Sequence, residues 1–365
     1  MTTGEKGRAR PSRGREASLG IEVTTQCNGR CLHCFARAGR PGRAALPPAT
    51  VKAVLSEGRE AGYRHLHVTG GEPLLWPGLL ETLDAARAMG YRTAYLNTNG
   101  TLLTRETARR LAGCEGLCLS VSLEGPEALH DRFRGRGAHR RAVSGIENAL
   151  HEGLDVVVFT LAGKGLLPEL PRFADDLFDR FPGIRHLALI QLINVEGEAF
   201  PLSAELLEPE DFLVLVQTVA LMNLYGLPTH VKNSTLATVV SNLMGMPWIP
   251  RVHPLHREGN LIVRANGRMG LSHSGGGTFG RYEPGAIRNV LSTDAYRRAV
   301  RPDETVCPSC GHVDACRSYG MLRPTDRNMA PFRDEPFCRS VMDEASLRRE
   351  PQPSFNVQAG KGEDR

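Results

Sequence analysis

The sequence lacks any long uninterrupted apolar run, and no apolar segment typical of a secretion signal stands near its start. Its longest apolar stretch, residues 212–227, is broken by Gln217, Thr218 and Asn223, so it predicts a buried helix rather than a membrane span. No basic stripe with interleaved aromatic residues is present, and a net charge of +5 is modest for 365 residues. We therefore expect a cytoplasmic protein that binds neither membranes nor nucleic acids.

The nine cysteines include three close together near the start, Cys27, Cys31 and Cys34. Without a secretion signal, so many cysteines indicate a reducing compartment, where thiols serve metals more often than disulfides. No fourth cysteine or suitable histidine follows at zinc-finger spacing, which counts against a closed structural zinc site. Three thiolates can instead hold three irons of a four-iron cluster and leave the fourth iron open. A chance group of thiols is the alternative.

Short motifs follow the cysteine triplet at the predicted ends of successive strands. They are GGEP at 70–73, NTNG at 97–100 and SLEG at 122–125, followed by HD at 130–131 and RG at 134–135. In this order, they resemble the radical S-adenosylmethionine (SAM) superfamily over residues 19–345. The last third resembles the SPASM subgroup, whose members carry auxiliary iron–sulfur clusters.

The resemblance implies a 4Fe-4S cluster on Cys27, Cys31 and Cys34, with SAM bound to its open iron. It implies that a radical derived from SAM abstracts a hydrogen atom from the substrate. The residues implied to contact SAM are Gly70, Gly71, Glu72, Asn97, Asn99, Ser122 and Arg134. The residues alone leave other interpretations open. GGEP is also typical of a plain strand-to-helix turn, Arg134 is also consistent with a surface charge, and asparagine is common in turns at strand ends. The resemblance also implies that Glu124 contacts the substrate, although many relatives have Asp at this position.

Four cysteines near the end, Cys307, Cys310, Cys316 and Cys338, resemble the ligands of the outer auxiliary cluster in the SPASM group. We expect them to hold a second 4Fe-4S cluster, with a four-cysteine zinc site as the alternative. The inner auxiliary cluster is predicted to be absent, since Ser272 and Gly320 stand where cysteines are expected. Its space is then left to His273 and nearby polar residues.

Strand and helix patterns alternate regularly through the first two thirds of the chain. This predicts an α/β fold, a partial (β/α)6 TIM-like barrel with a small C-terminal iron–sulfur domain. The predicted strands are 20–25, 63–69, 91–97, 117–123, 154–161 and 184–193. The predicted regions are a disordered basic tail (1–18), the barrel (19–200), a helical bridge (201–257), the auxiliary-cluster domain (258–345) and a disordered tail (346–365).

Cys118 lies on a predicted strand with Ser120 and Ser122 on the same face. If that face lines the barrel, its thiol suits a hydrogen-atom donor that quenches a substrate radical. A single cysteine on a strand is more commonly a small core residue.

The expected function is oxidation or epimerisation of an unactivated C–H position in a sugar- or aminocyclitol-like intermediate of natural-product biosynthesis. Two alternatives remain: a maturase that oxidises or cross-links a ribosomally made peptide, and a non-catalytic metal-binding protein. The expected electron donor is a flavodoxin or ferredoxin. Methyl transfer is disfavoured because the sequence has no DxHxxG cobalamin motif.

Overall fold

The computed structural model describes residues 17–34, 36, 38–39, 44–193, 201–232, 234–246, 248–250, 260–271, 273, 278–300, 311–312 and 336–347. Within them, ten strands form one sheet in the order β10-β9-β8-β1-β2-β3-β4-β5-β6-β7. The strands are β1 Ser18–Glu22, β2 His65–Thr69, β3 Thr93–Thr98, β4 Leu117–Ser122, β5 Asp155–Ala162, β6 Ile184–Gln191, β7 Thr229–Lys232, β8 Leu261–Val263, β9 Arg268–Gly270 and β10 Thr278–Arg281.

The helices of the described residues mostly connect consecutive strands. They are α1 Pro48–Glu60, α2 Leu79–Ala88, α3 Arg105–Ala112, α4 Glu127–Arg134, α5 Ala138–His151, α6 Leu170–Arg180, α7 Pro209–Leu224, α8 Thr235–Leu243, α9 Ala286–Ser292, α10 Asp294–Val300 and α11 Pro336–Leu347. No helix in this part of the chain is long and apolar enough to cross a membrane.

The six strands predicted from the alternation are all present, and they pair in parallel from β1 to β6. The predicted α/β fold is therefore confirmed. β7 extends the sheet beyond β6, and β8 pairs in parallel with β1 on the other side. A hairpin turn around residues 265–267 joins β8 and β9, which are antiparallel.

The two faces of the parallel sheet differ in what they pack against. Leu119, Val158 and Leu189 belong to the main core, which the helices cover. The alternate positions face away from it, where Cys118, Val157 and Ala188 form a small separate cluster. We call this second, concave face the lumen; residues i and i+2 of each strand share it.

Two details of the helices bear on the sequence predictions. One side of α7 is buried between Phe212 and Met222, as the interrupted apolar stretch predicts, whereas Val214, Leu221 and Leu224 are exposed. Ser234 directly precedes α8, but its hydroxyl makes no capping hydrogen bond. In contrast, Thr104 caps α3, its hydroxyl accepting from Thr107 N at 3.1 Å.

Candidate functional site

The predicted site motifs meet at one edge of the sheet. The cysteine loop follows β1, GGEP follows β2, Asn99 follows β3, and Glu124 follows β4. Because these strands are parallel, their carboxyl ends share an edge, which is where such barrels place their active sites.

The three thiols of the cysteine loop converge. An ideal Cβ on Gly29 would lie 3.6 Å from Cys31 Sγ and 3.7 Å from Cys27 Sγ. Gly29 N donates to Cys27 Sγ at 3.3 Å, and Ala38 N donates to Cys34 Sγ at 3.3 Å. N–H groups directed at sulfur are a feature of iron–sulfur sites, where they stabilise thiolate ligands. The donor set therefore fits an iron–sulfur cluster.

Without a cluster, Cys27 and Cys31 hold their protons more tightly than a free cysteine does. Burial raises the pKa of Cys27 to about 11, an effect that the hydrogen bond from Gly29 N opposes. Burial also raises the pKa of Cys31, against the pull of the nearby Arg134. Since metals bind thiolates, cluster assembly must release these protons.

Gly70 and Gly71 lie directly against the start of the cysteine loop. A Cβ on Gly70 would lie 2.5 Å from Thr24 O, and one on Gly71 would lie 2.3 Å from Gln26 O. Gly71 N donates to Thr24 O at 2.6 Å, and Glu72 N donates to Gln26 O at 2.8 Å. Packing of the chain against itself thus requires both glycines, whatever cofactor lies beyond them.

Glu72 is a fully buried carboxylate that joins two of the motifs. Its oxygens accept from Thr98 Oγ1 at 2.8 Å, Asn99 N at 2.8 Å and Leu74 N at 3.1 Å. Burial raises its pKa, and these three hydrogen bonds oppose the rise. An ionised carboxylate has about four acceptor sites, and these three hydrogen bonds fill three of them.

Arg134 contacts the cysteine loop and is not a surface charge. Its Nη1 donates to Cys31 Sγ at 3.8 Å, and its Nε donates to Glu124 Oε1 at 2.6 Å. The other Glu124 oxygen accepts from Leu161 N at 2.7 Å. Glu124 is 1% exposed, so it positions Arg134 and leaves little surface for a substrate contact.

The remaining predicted contacts lie along the same edge. Asn99 Nδ2 donates to Asn28 Oδ1 at 2.8 Å and lies 4.0 Å from Cys27 Sγ. Asn97 hydrogen-bonds the ring of His67. Ser122, the last residue of β4, is half-buried.

Cys118 shares the lumen face with Ser122 but lies at the opposite end of β4. The two residues are four positions apart, about 13 Å along a strand. The Cys118 thiol borders a cavity of about 350 Å³ at the amino ends of β3–β5, which Cys114 also lines. Burial raises its pKa to about 11. Its role as a hydrogen-atom donor stays a prediction.

Among the polar side chains of the lumen, sequence reasoning named His273 but missed Glu22, His67, His186 and His230. Glu22 ends β1 and lies 3.2 Å from His273 Nδ1, and the His273 ring meets the His67 ring edge-on at 5.3 Å. Across the lumen, the rings of His186 and His230 stack at 4.1 Å. Polar residues at alternate positions of otherwise apolar strands were the available signal, in "GIEV" and "HLHVT".

The predicted second cluster lies mostly outside the described residues. Cys307, Cys310 and Cys316 are among the residues not described, as are Ser272 and Gly320. Cys338 is half-buried on α11, where it packs against the main core.

Comparison with known proteins agrees with this site. The profile of the Radical SAM superfamily matches residues 21–177. Pre-heme d1 synthase from Dinoroseobacter shibae is 33% identical over 347 residues, which cover 87% of this chain and 84% of that protein. Mycofactocin maturase MftC from Mycobacterium tuberculosis is 24% identical over 381 residues, covering 96% of this chain and 90% of the relative.

Two solved structures share the fold. The anSMEcpe structure with bound AdoMet (SAM) has a TM-score of 0.71 at 15% identity, covering 92% of this chain and 94% of that one. SuiB from Streptococcus suis, bound to precursor peptide SuiA, has a TM-score of 0.69 at 17% identity, covering 89% and 76%. As the motifs predicted, the chain belongs to the radical SAM superfamily, whose members use a 4Fe-4S cluster and SAM.

Proposed function

We propose that this radical SAM enzyme is a maturase that modifies a peptide substrate. The observation that carries the proposal is similarity along almost the whole chain to mycofactocin maturase MftC. The shared fold with SuiB, a protein solved with its precursor peptide, agrees with it. The sugar-like substrate expected first from the sequence has no counterpart among the relatives named above.

Cys27, Cys31 and Cys34 are the residues that would hold the 4Fe-4S cluster, and Glu72 would accept from the ammonium of SAM. The chemistry supplied when both are bound is a 5′-deoxyadenosyl radical able to take a hydrogen atom from an unactivated carbon. Arg134 places its positive charge beside Cys31, which stabilises a thiolate there. Glu124 keeps that guanidinium in place.

The lumen face has room for a substrate between this edge and the cavity at the amino ends of β3–β5, which Tyr95 also lines. Tyr95 on β3 faces it and remains 36% exposed, an unusual exposure for an aromatic side chain in the middle of a parallel sheet. Phe159 on β5 is half-buried on the same face. We infer that the modified part of the peptide lies here, between the cysteine loop and the polar lumen residues.

A tetrapyrrole substrate is the second candidate. It is favoured by the 33% identity to pre-heme d1 synthase, which covers 87% of this chain.

For the second cluster, we propose four thiolate ligands, Cys307, Cys310, Cys316 and Cys338. Four ligands leave no open iron, so the expected role is electron transfer or structure rather than substrate binding. Replacing Cys310 with Ala should spare some cleavage of SAM while blocking product, and unimpaired product would refute a redox role.

The test uses anaerobically reconstituted full-length enzyme with dithionite and SAM. Short peptides encoded beside its gene, tetrapyrroles and sugar-like molecules are each added, and 5′-deoxyadenosine and substrate mass are followed by mass spectrometry. We expect one peptide to change mass in proportion to 5′-deoxyadenosine. A mass change in a tetrapyrrole or sugar alone would overturn the proposal.

Two cysteine variants provide a matched control for that experiment. Cys27→Ala should abolish SAM cleavage, because it removes a proposed cluster ligand. Cys114→Ala should retain cleavage, because Cys114 lies at the other end of the sheet, where its Sγ is 3.8 Å from Asp84 Oδ1. Equal loss in both variants would contradict the assignment of the cysteine loop.

A further inference from the structure

The β6–β7 side of the lumen carries three basic side chains, His186, His230 and Lys232, here called the lumen cluster. His230 pairs in register with Ala188, a member of the small lumen-side apolar cluster. Val231, between His230 and Lys232, belongs instead to the main core on the opposite face. By alternation, His230 and Lys232 therefore face the lumen, and His186 joins them by stacking on His230 at 4.1 Å.

Lys232 is the cation of this cluster, and the described residues give it no carboxylate partner. Burial lowers its pKa, and among the described residues the Cys118 thiol acts in the opposite direction. That thiol stays protonated at neutral pH, since burial raises its pKa to about 11. The nearby Asp155 is already paired with Arg185. A half-buried ammonium without a counter-charge is costly unless a ligand supplies one.

The two histidines add hydrogen-bond donors rather than charge. Burial lowers the pKa of His186 to about 3 and that of His230 to about 4, and in both cases the positive charge of Lys232 contributes. Both rings are therefore neutral near pH 7, and each keeps one N–H group. One positive charge beside two neutral donors matches a group with a single negative charge.

We propose that the lumen cluster binds a carboxylate of the substrate, with Lys232 as its ionic partner and His186 and His230 as neutral donors. The inference rests on the proposed function, since it names a feature of the same substrate. In a peptide, the carboxylate belongs either to the chain terminus or to an acidic side chain. Phosphate is a poorer match, because it carries more charge and is typically bound by several cationic or backbone donors.

The test measures binding without turnover, by calorimetry on reconstituted holoenzyme with SAM and no reductant. N-acetylglycine presents a terminal carboxylate, N-acetylglutamic acid α-amide presents a side-chain carboxylate, and N-acetylglycinamide presents neither. We expect one or both carboxylates to bind and the neutral amide to bind at least about tenfold more weakly, as for loss of a charged hydrogen bond. The compound that binds more tightly identifies whether the site takes a terminal or a side-chain carboxylate.

Three variants decide whether Lys232 is responsible. Lys232→Met should weaken carboxylate binding about tenfold or more, while Lys232→Arg should keep it within about threefold. Lys52→Met, on the exposed face of α1, should change nothing. Equal affinity for the neutral amide, or unchanged affinity in Lys232→Met, would overturn the carboxylate site.

Failure of this inference differs visibly from failure of the proposed function. If a peptide is modified but no carboxylate binds through Lys232, only the carboxylate site is wrong. If carboxylates bind through Lys232 but no peptide changes mass, the proposed function is wrong and the carboxylate site stands.

Discussion

At the scale of single residues, Gly71 and the cysteine loop depend on each other. The loop backbone passes so close to Gly71 that a Cβ there would lie 2.3 Å from Gln26 O and 2.8 Å from Thr25 O. Either the loop or β2 must then move. The position of the three thiols is therefore sensitive to a residue that is not itself a ligand.

We expect Gly71→Ala to lower the free energy of unfolding by about 1–3 kcal/mol, the range for overpacking. Iron bound after anaerobic reconstitution should fall as well, although all three thiols are intact. The control is Gly113→Ala, where the nearest atom to a new Cβ is Arg110 O at 3.4 Å. Normal iron content in Gly71→Ala would show that the loop tolerates the displacement.

Glu124 is the second residue with a testable structural role, because it balances the charge of Arg134 in a buried setting. Glu124→Gln leaves the guanidinium without its carboxylate, and we expect the free energy of unfolding to fall by about 3–5 kcal/mol. Glu115→Gln is the control, because its ion pair with Arg87 is exposed and should contribute under about 1 kcal/mol. Urea denaturation measures both, and equal effects would argue against a special role for Glu124.

At the scale of elements, much of the arrangement could be predicted and some could not. Strand–helix alternation locates the six parallel strands to within about three residues, because apolar runs and caps are local signals. β7 has only four residues, too few for a periodic pattern, and was missed. The pairing of β8 with β1 joins residues more than 200 positions apart, which no local pattern encodes.

The same distinction applies to the site. Local motifs mark the cysteine loop, GGEP and Asn99, because each lies within a few residues of a strand end. The roles of Glu124 and Lys232 depend on contacts with other elements: α4 and β5 for Glu124, and β4 and β6 for Lys232. Those roles therefore required the structure.

The amino-terminal end of α9 is capped by a side chain of α1. Glu57 accepts from Gly285 N at 2.7 Å, Ile287 N at 3.3 Å and Tyr282 Oη at 2.7 Å, and so acts as a cap for a helix far along the chain. We expect Glu57→Ala to cost about 1–2 kcal/mol of unfolding free energy, as for loss of a cap. Glu60→Ala on the same helix, whose pair with Arg288 is exposed, should cost much less. Thermal unfolding compares the two, and a similar loss would exclude capping.

At the scale of the whole molecule, the buried histidines of the lumen make stability depend on pH. Burial lowers the pKa of His67 to about 4, with a further contribution from His273. Between about pH 6.5 and 4, the unfolded chain binds a proton at this position and the folded chain does not. Stability therefore falls as the pH is lowered through this window, by up to about 1.4 kcal/mol per pH unit from this group.

We expect His67→Gln to reduce that loss, because glutamine does not titrate. The measurement is the free energy of unfolding at pH 7.5 and 5.5 for the two proteins. His151→Gln, at a largely exposed position, should leave the difference as in the parent. A variant with the same pH dependence as the parent would mean that His67 protonates readily in the folded chain.

β1 is hydrogen-bonded to β2 on one side and to β8 on the other, and it leads directly into the cysteine loop. A shortened protein ending before Leu261 would leave the β8 side of β1 as an open edge, ready to pair with a second molecule. Preparations trimmed to the first two thirds are thus expected to self-associate. The isolated amino-terminal portion would therefore form an assembly through β1 that a chain with β8 in place does not form.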